Sequence, residues 1–548
     1  MMLIECANIK KYYGDRLILD IENLKIYSED RIGVVGINGV GKTTLMNILC
    51  EKLQPDEGFI KSYGNISYIS QLEASDQEEI NQELASKFGI TASWKEYMSG
   101  GEKTKFKLAQ SLDSNSEIIF ADEPTSNLDI ESIKLLEEKF KSYHGALFII
   151  SHDREFLDRI CNKILEIDRG KVKFYNGNYT EYKHKKEIEV KRCQFEYEKY
   201  QNEKQRLEDL IEKTEGRVKS IKKAPKRMGN SEARLHKMGN QKSKANLDRA
   251  IKNMKSRLEH LEIKERPKDV QKIKIDALST NKLHSKILIS GRNINKAFGE
   301  KTIFRDGDLN ICNGSKTVLI GPNGSGKSTL INMIMRNDTY FKISPGVKIG
   351  YFSQSLDVLY DKLSIIENIM EECIYSETFA RTLLARLLFK REDIYKKVGV
   401  LSGGERVKVS FAKIFLQDIN LLILDEPTNY LDIYSMEALE EALKDYSRTI
   451  LFVSHDRRFV SDLADHIISI ENKKLVSFEG TYKEYIQNKT RKVKSFDKER
   501  EQKILLLQNK VSYLIGKLSM PDKKEDIEKL DKEYKKTIKE LTMITKNS

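Results

Sequence analysis

No stretch of the chain approaches the run of about 18–20 apolar residues that a membrane span requires, which argues against a membrane-embedded protein. Cysteine is scarce. Cys6, Cys50, Cys161, Cys193, Cys312 and Cys373 lie far apart in 548 residues, with no CxxC pair among them. That spacing excludes a disulfide framework and a structural zinc site, and it fits a reducing cytosol. The opening MMLIECANIKKYYG lacks the charged-then-apolar layout of a secretory signal, so a cytoplasmic location is expected.

Charge is abundant: 32% of residues are charged and the formal net charge is +12. It is unevenly placed. Residues 183–270 hold 26 Lys/Arg against 15 Asp/Glu, and residues 487–548 hold 17 against 10, so the remainder is net acidic. A solvated surface accounts for either segment alone. Two such segments lying outside the repeated modules described next point to a polyanionic partner.

An internal duplication organises the chain. GINGVGKTT (36–44) returns as GPNGSGKST (321–329), and MSGGEKTK (98–105) as LSGGERVK (401–408). IIFADEPTSNLD (118–129) returns as LLILDEPTNYLD (421–432), and FIISHDREFL (148–157) as LFVSHDRRFV (451–460). The first pair is offset by 285 residues and the others by 303, so the second copy carries about 20 extra residues between Gln354 and Ser402. The apolar runs IGVVG and TVLIG lead into the glycine loops, and IIFAD, LLILD, LFII and LFVS read as buried parallel strands. The expected fold is α/β, with two domains of mostly parallel sheet and flanking helices.

Between the copies the pattern changes. Tyr200, Leu207, Ile211 and Val218 fall at helical spacing, and Leu247, Ile251, Met254, Leu258 and Leu261 form a four–three seam. The intervening KSIKKAPKRMGNSEARLHKMGNQK holds Pro225, Gly229 and Gly239, which are expected to break the helix. Two long antiparallel helices with a basic tip are expected over 183–284. Apolar residues at the same rhythm on either side of Pro521 predict a shorter helical hairpin over 487–548. With the modules at 1–182 and 285–486, this gives four segments.

The chemistry lies in the repeats. In GxxxxGK[ST], Gly36, Gly39 and Gly41, and likewise Gly321, Gly324 and Gly326, let backbone N–H groups wrap phosphates. Lys42 and Lys327 are expected at the β- and γ-phosphates, and Thr43 and Ser328 at Mg²⁺. Asn38, Thr44, Asn323 and Thr329 complete the loops. Asp122 and Asp425, each ending an apolar strand, are placed to hold Mg²⁺ through water. Glu123 and Glu426, next in sequence, are placed to orient or deprotonate an attacking water. A Ser-His-Asp triplet follows an apolar strand 29 residues after each glutamate, which singles out His152 and His455.

With these motifs in place, the chain resembles the ATP-binding-cassette superfamily over about 1–182 and 285–486, and its duplicated, membrane-free layout resembles the ABC-F family. The resemblance implies a monomer whose two modules pair head to tail, with ATP and Mg²⁺ as ligands. Ser99, Gly100 and Gly101 are then signature residues facing Lys327, and Ser402, Gly403 and Gly404 face Lys42. Gln71 and Gln354 become the Q-loop glutamines, with a share in Mg²⁺ binding, and His152 and His455 the switch histidines. Tyr13 and Phe298 match the aromatic that stacks on adenine, with Tyr12 an alternative to Tyr13. Ser126 and Tyr430 depart from the TNHLD of many members and leave open whether both sites hydrolyse equally.

Three uses compete for such a machine. A transporter ATPase needs no long basic hairpin between its cassettes, and DNA-repair cassette proteins often carry zinc-binding cysteines. A translation factor fits best, because a basic helical linker is the ABC-F hallmark. There the linker enters the bacterial ribosome near the tRNA-exit region and points toward the peptidyl-transferase centre, so rRNA and tRNA are the expected partners. The tip and the C-terminal extension resemble members that protect ribosomes from pleuromutilins, lincosamides and streptogramin A. A general role on stalled ribosomes is the alternative.

Overall fold

The computed structural model describes all residues except 71–78, 96, 97, 99, 115, 221–229, 265–284, 354–357, 520–526, 547 and 548. Contacts divide it into residues 1–126 with 135–274, and residues 127–134 with 275–548.

The first unit runs β1 (Met2–Tyr13), β2 (Arg16–Tyr27), β3 (Arg31–Val35), α1 (Lys42–Leu49), β4 (Glu57–Ser62), β5 (Ile66–Ile69) and α2 (Gln82–Phe88). It continues through α3 (Gly100–Asp113), β6 (Ile118–Asp122), α4 (Ile130–Ser142), β7 (Ala146–Ile150), α5 (Arg154–Ile160), β8 (Lys163–Asp168) and β9 (Lys171–Asn176). The expected parallel strands form a six-stranded sheet in the order β5-β6-β7-β3-β8-β9, with only β9 antiparallel. β6 and β7 are buried along their whole length, as continuous apolar runs covered on both faces should be. A second, antiparallel sheet, β2-β1-β4, was not expected from the sequence. Alternation in MLIECANI and LILDIENL gives it one apolar face, which packs with the P-loop helix α1 and the main sheet into a single core.

Two helices complete the unit: α6 (Tyr179–Ser220) and α7 (Asn230–Glu259). They pack on each other as expected, with Leu207 buried and ion pairs Lys255–Glu215 at 2.9 Å and Arg257–Glu203 at 3.5 Å. At 1.5 Å per residue α6 is ~60 Å long. It begins four residues before the expected Lys183, because the Asn178 side chain accepts a hydrogen bond from Glu181 N at 3.0 Å and starts the helix there. The expected break at Gly239 does not occur. A lone glycine costs about 1 kcal/mol in a helix, too little to end one that goes on packing against α6. Pro225 and Gly229 lie outside the described residues.

The second unit repeats the plan with β10 (Ile287–Phe298), β11 (Lys301–Cys312), β12 (Lys316–Ile320), α8 (Lys327–Met335), β13 (Phe341–Ile343) and β14 (Ile349–Phe352). The extra sequence of this copy folds as α9 (Ile365–Met370), α10 (Glu377–Arg386) and two short 3-10 turns. Then come α11 (Gly403–Phe415), β15 (Leu421–Asp425), α12 (Ile433–Asp445), β16 (Thr449–Val453), α13 (Arg457–Leu463), β17 (His466–Glu471) and β18 (Lys474–Glu479). Its sheets, β14-β15-β16-β12-β17-β18 and β11-β10-β13, have the same strand order as those of the first unit. The C-terminal helices α14 (Tyr482–Ser519) and α15 (Ile527–Lys546) form the expected hairpin, with Leu514 buried and Lys510 paired to Glu533 at 2.7 Å. Among the described residues no helix is long and apolar enough to cross a membrane.

Candidate active sites

Each glycine loop is built by a strand that stops and a helix that starts in a left-handed turn. Gly41 and Gly326 precede α1 and α8 with φ of 105° and 104°. A Cβ there would lie 2.8 Å from Ile18 Cγ2 or 2.4 Å from Ile303 Cγ2, so glycine lets the loop seat against the antiparallel sheet. Gly39 and Gly324 also have positive φ, but a Cβ there would meet nothing within 4 Å. What glycine leaves open at those two positions is room above the backbone N–H groups, which suits a phosphate. Lys42 is buried and its Nζ donates to Gly36 O at 2.7 Å and to Asn38 Oδ1 at 3.3 Å. Lys327 Nζ donates likewise to Gly321 O at 2.9 Å. Thr44 and Thr329 sit in the first turns of α1 and α8, and Asn323 in the exposed part of its loop.

The carboxylates gather beside these loops. Thr43 Oγ1 donates to Asp122 Oδ2 at 3.0 Å, and Ser328 donates to Asp425. Asp425 Oδ1 is buried and accepts no hydrogen bond. A hydroxyl–carboxylate pair with a buried oxygen to spare suits a hard cation that prefers oxygen ligands and keeps its waters. Burial raises both aspartates above the usual carboxylate range. These residues would hold Mg²⁺, which would neutralise phosphate charge when bound.

Glu123 and Glu426 follow, with φ of 51° and 53°, in the left-handed region that glutamate avoids. The strain is held by fixed neighbours: Glu123 N donates to Ile150 O at 2.9 Å and Glu426 N to Val453 O at 3.0 Å. The turn aims each carboxylate at a histidine, with His152 Nε2 3.1 Å from Glu123 Oε1 and His455 Nε2 3.2 Å from Glu426 Oε1. The histidines are set by the residues around them. Asp153 and Asp456 cap α5 and α13 and also bond back to Ser151 and Ser454. Ser151 and Ser454 in turn meet Thr125 at 3.1 Å and Thr428 at 3.2 Å. Burial holds His455 down to about 4, so it is neutral at physiological pH.

Burial, helped by the adjacent aspartates, pushes Glu123 up to about 8 and Glu426 up to about 7 in the nucleotide-free chain. From about pH 4.5 to 8 the folded chain therefore holds protons that the unfolded chain has released, and stability falls as pH rises. Glutamine mimics the protonated form. Glu123→Gln with Glu426→Gln should raise the nucleotide-free melting temperature at pH 8 by a few degrees, at about 2–4 °C per kcal/mol. At pH 4.5 it should change little. Equal shifts at both pH values in differential scanning calorimetry would exclude buried, protonated glutamates.

The second signature region is a helix start. Ser402 caps α11, exchanging bonds with Glu405, whose Oε2 accepts from Ser402 N at 2.9 Å. Gly403 is exposed on the first turn and Gly404 is partly so, leaving N–H groups for an anion. In the first copy, Gly100 and Gly101 open α3, while Ser99 lies outside the described residues, as do Gln71 and Gln354. Tyr13 and Phe298 end β1 and β10 and are exposed, and Tyr12 is less so.

The family described as "ABC transporter" matches residues 19–126 and 304–429, and an extension of the same description matches 165–276. The erythromycin resistance ATP-binding protein MsrA of Staphylococcus epidermidis is 34% identical, over 84% of this chain and 96% of its own length. The ribosome protection protein VmlR of Bacillus subtilis is 31% identical, over 98% of both chains. The chain belongs to the ABC-F family of ATP-binding-cassette ATPases. The fold agrees: an archaeal ribosome recycling factor, ABCE1, superposes with a TM-score of 0.60 at 18% identity, over 89% of this chain and 92% of that one. This ABC-F chain is therefore a tandem ATPase that binds and hydrolyses ATP.

Its two copies differ after the glutamates. Asn127 and Tyr430 occupy equivalent left-handed positions, with φ of 61° and 65°. Asparagine tolerates that conformation because its short amide can hydrogen-bond locally, and tyrosine lacks that compensation, so the second turn is the more strained. The strained glutamate backbone carries no signal in the sequence. The capping aspartates do, since Ser-His-Asp followed by an apolar helical pattern is an N-cap signature.

Proposed function

We propose that this chain binds the bacterial ribosome and uses its ATPase cycle to engage and leave it, protecting it from antibiotics that act at the peptidyl-transferase centre. The relatives named for erythromycin resistance and for ribosome protection carry this reading, because the first covers 84% of the chain and the second 98%. The basic α6–α7 arm supports it. In this reading the division is 1–182 and 285–486 for the cassettes, 183–284 for the arm and 487–548 for the tail. ATP binding closes the cassettes on two nucleotides within one cytoplasmic monomer, and the arm tip is directed at the peptidyl-transferase centre beside tRNA.

Within each site Lys42 and Lys327 turn from the loop carbonyls to the phosphates. Asp122 and Asp425, with Thr43 and Ser328, hold Mg²⁺, with Gln71 and Gln354 assigned beside them. Glu123 and Glu426 orient the attacking water, and His152 and His455 hold that geometry. Ser99, Gly100, Gly101 and Ser402, Gly403, Gly404 receive the γ-phosphate, and Tyr13 and Phe298 stack on adenine.

The test is inhibitor susceptibility in a sensitive bacterium expressing the gene, across pleuromutilin, lincosamide and streptogramin A drugs. Erythromycin belongs to none of those classes and is included because one relative is named for it. Unchanged susceptibility to every drug would remove the protective role and leave the stalled-ribosome reading. Affinity for ribosomes should also fall steeply with salt, on the order of 10³-fold between about 50 and 200 mM, through counterion release. Deleting 492–548, which spares the first turns of α14, should flatten that slope modestly and leave intrinsic ATP hydrolysis intact. Loss of hydrolysis would make the tail part of the ATPase fold.

A further inference from the structure

The arm helix α6 is rooted on one buried carboxylate. Glu166, on β8, is only 6% exposed, yet two donors from α6 converge on it and a third hydroxyl stands near, shared with Glu189. Tyr182 Oη donates at 2.9 Å, Lys186 Nζ at 2.6 Å, and Tyr175 Oη lies 3.3 Å away. Tyr182 and Lys186 belong to the first turns of α6. Glu189, a turn further along, meets Tyr175 Oη at 3.0 Å and Lys173 at 2.7 Å, which binds the same helix to β9. The rings of Tyr175 and Tyr182 stand edge to face at 5.0 Å. A carboxylate removed from water holds such partners tightly, because each one lost leaves charge unsatisfied.

Glu166 is also a neighbour of the phosphate loop. β8 runs parallel to β3 with Glu166 opposite Val35, the residue immediately before Gly36. The loop starts in contact with the same strand, since a Cβ at Gly36 would lie 2.8 Å from Ile167 O. Lys42 Nζ holds Gly36 O at 2.7 Å. A phosphate competes for that ammonium group and frees the carbonyl, so the bonding at the head of this strand pair differs between the two states. A difference of this kind is what lets a ligand shift an equilibrium. The lever is long: a tilt of ~5° at the root moves an end ~60 Å away by about 5 Å.

The second copy seats its helix on a different carboxylate. Ser469 lies opposite Ile320, where the first copy has Glu166 opposite Val35, and Phe478 stands where the first has Tyr175. Its root carboxylate is Glu471, two residues further along at the strand end, with 41% of its side chain exposed. Tyr485 Oη bonds it at 2.9 Å and Lys489 Nζ lies 3.2 Å away.

We propose that Glu166, with Tyr182 and Lys186, is a positioning site that transmits the phosphate-loop state of the first cassette to the direction of the α6–α7 arm. The second cassette holds its tail helix on Glu471, a more exposed carboxylate at the end of β17. Only the purpose of the arm rests on the ribosome reading. The coupling belongs to the free chain and is measured without ribosomes.

The full-length chain would carry bio-orthogonal spin labels at the exposed positions Lys141 on α4 and Lys213 on α6. Electron–electron distance measurement then compares the nucleotide-free chain with the chain bound to a non-hydrolysable ATP analogue and Mg²⁺. The expected result is an analogue-dependent shift in the wild type. Glu166→Gln and Tyr182→Phe should each abolish the shift and broaden the distribution about twofold. Their KM for ATP and ribosome-free kcat should stay within about twofold of wild type, and Glu471→Gln should retain the shift. Lys186→Met serves as a further variant should Glu166→Gln fail to fold. Three outcomes overturn the proposal: no shift in the wild type, a full shift in both Glu166→Gln and Tyr182→Phe, or equal loss in Glu471→Gln. Absence of ribosome binding would sink the proposed function and leave this coupling standing.

Discussion

A chain carrying Glu123→Gln and Glu426→Gln should bind ATP as the wild type does and hydrolyse it ~10²- to 10⁴-fold more slowly, the usual worth of general-base assistance. Glutamine keeps the shape and the oxygen but cannot take a proton. Its backbone must adopt the same left-handed turn, φ 51° and 53° in the wild type, so the backbone hydrogen bonds to Ile150 and Val453 remain. ATP then persists, and the closed form should accumulate on ribosomes and arrest translation. Trp94, the single tryptophan, offers a direct readout because it packs edge to face on Phe106 of α3, 5.3 Å away. Its fluorescence should change on adding ATP in both proteins and revert only in the wild type. The single substitutions weigh the two sites separately, which matters because Asn127 and Tyr430 differ. Turnover near the wild-type rate in the double variant would remove both glutamates from the chemistry.

Much of this was legible before any coordinates. The strands IIFAD and LLILD are β6 and β15 to the residue, because a strand buried on both faces must be apolar throughout and must end where the first charge appears. The helical spacing around Leu207 and the four–three spacing around Leu514 found the two helical hairpins, since both leucines are buried in helix–helix seams. The antiparallel sheets were missed. β1 and β2 alternate buried and exposed residues, and β1 ends in the polar KKYY, a weaker signal than a continuous apolar run. Helix starts were placed late for a related reason. Asn178 with Glu181 and Thr481 with Glu484 are capping pairs, three residues apart, that precede the apolar rhythm.

The candidate sites divide the same way. Residues whose role follows from side-chain chemistry at fixed spacing, such as Lys42, Asp122 and His152, stand together around each glycine loop. What spacing cannot carry is conformation and non-local pairing. The positive φ at Glu123 comes from tertiary hydrogen bonds to β7, and nothing in the local sequence demands it. Glu166 reads as one more acid in ILEID. Only the parallel register of β3 with β8, and the return of α6 over it, bring Val35 to one side and Tyr182 to the other.

Shortening the arm tip should abolish antibiotic protection while leaving ATP binding and ribosome association largely unchanged. Residues 217–249 carry eleven basic side chains against Glu232 and Asp248 alone. So much like charge repels itself in the free chain, and a phosphate-rich cavity would relieve that repulsion. Arg227 and Arg234 can hold phosphate in a bidentate fork or stack on an unpaired base, whereas Lys222, Lys223 and Lys226 mainly supply charge. Met228 and Leu235 are apolar residues within this basic stretch of sequence. The cut has to spare both helices. α7 begins at Asn230, so the segment to shorten is 224–229, which lies outside the described residues. A truncation of equal length in an exposed turn elsewhere controls for general damage. The measurements are inhibitor susceptibility in cells, co-sedimentation with ribosomes, and ATP turnover. Retained α6 and α7 keep the long arm and its root on Glu166, so association should persist even though protection is lost. If the shortened chain still protects cells as well as the wild type, residues 224–229 serve only to join two helices, and resistance by a tip directed at the peptidyl-transferase centre fails.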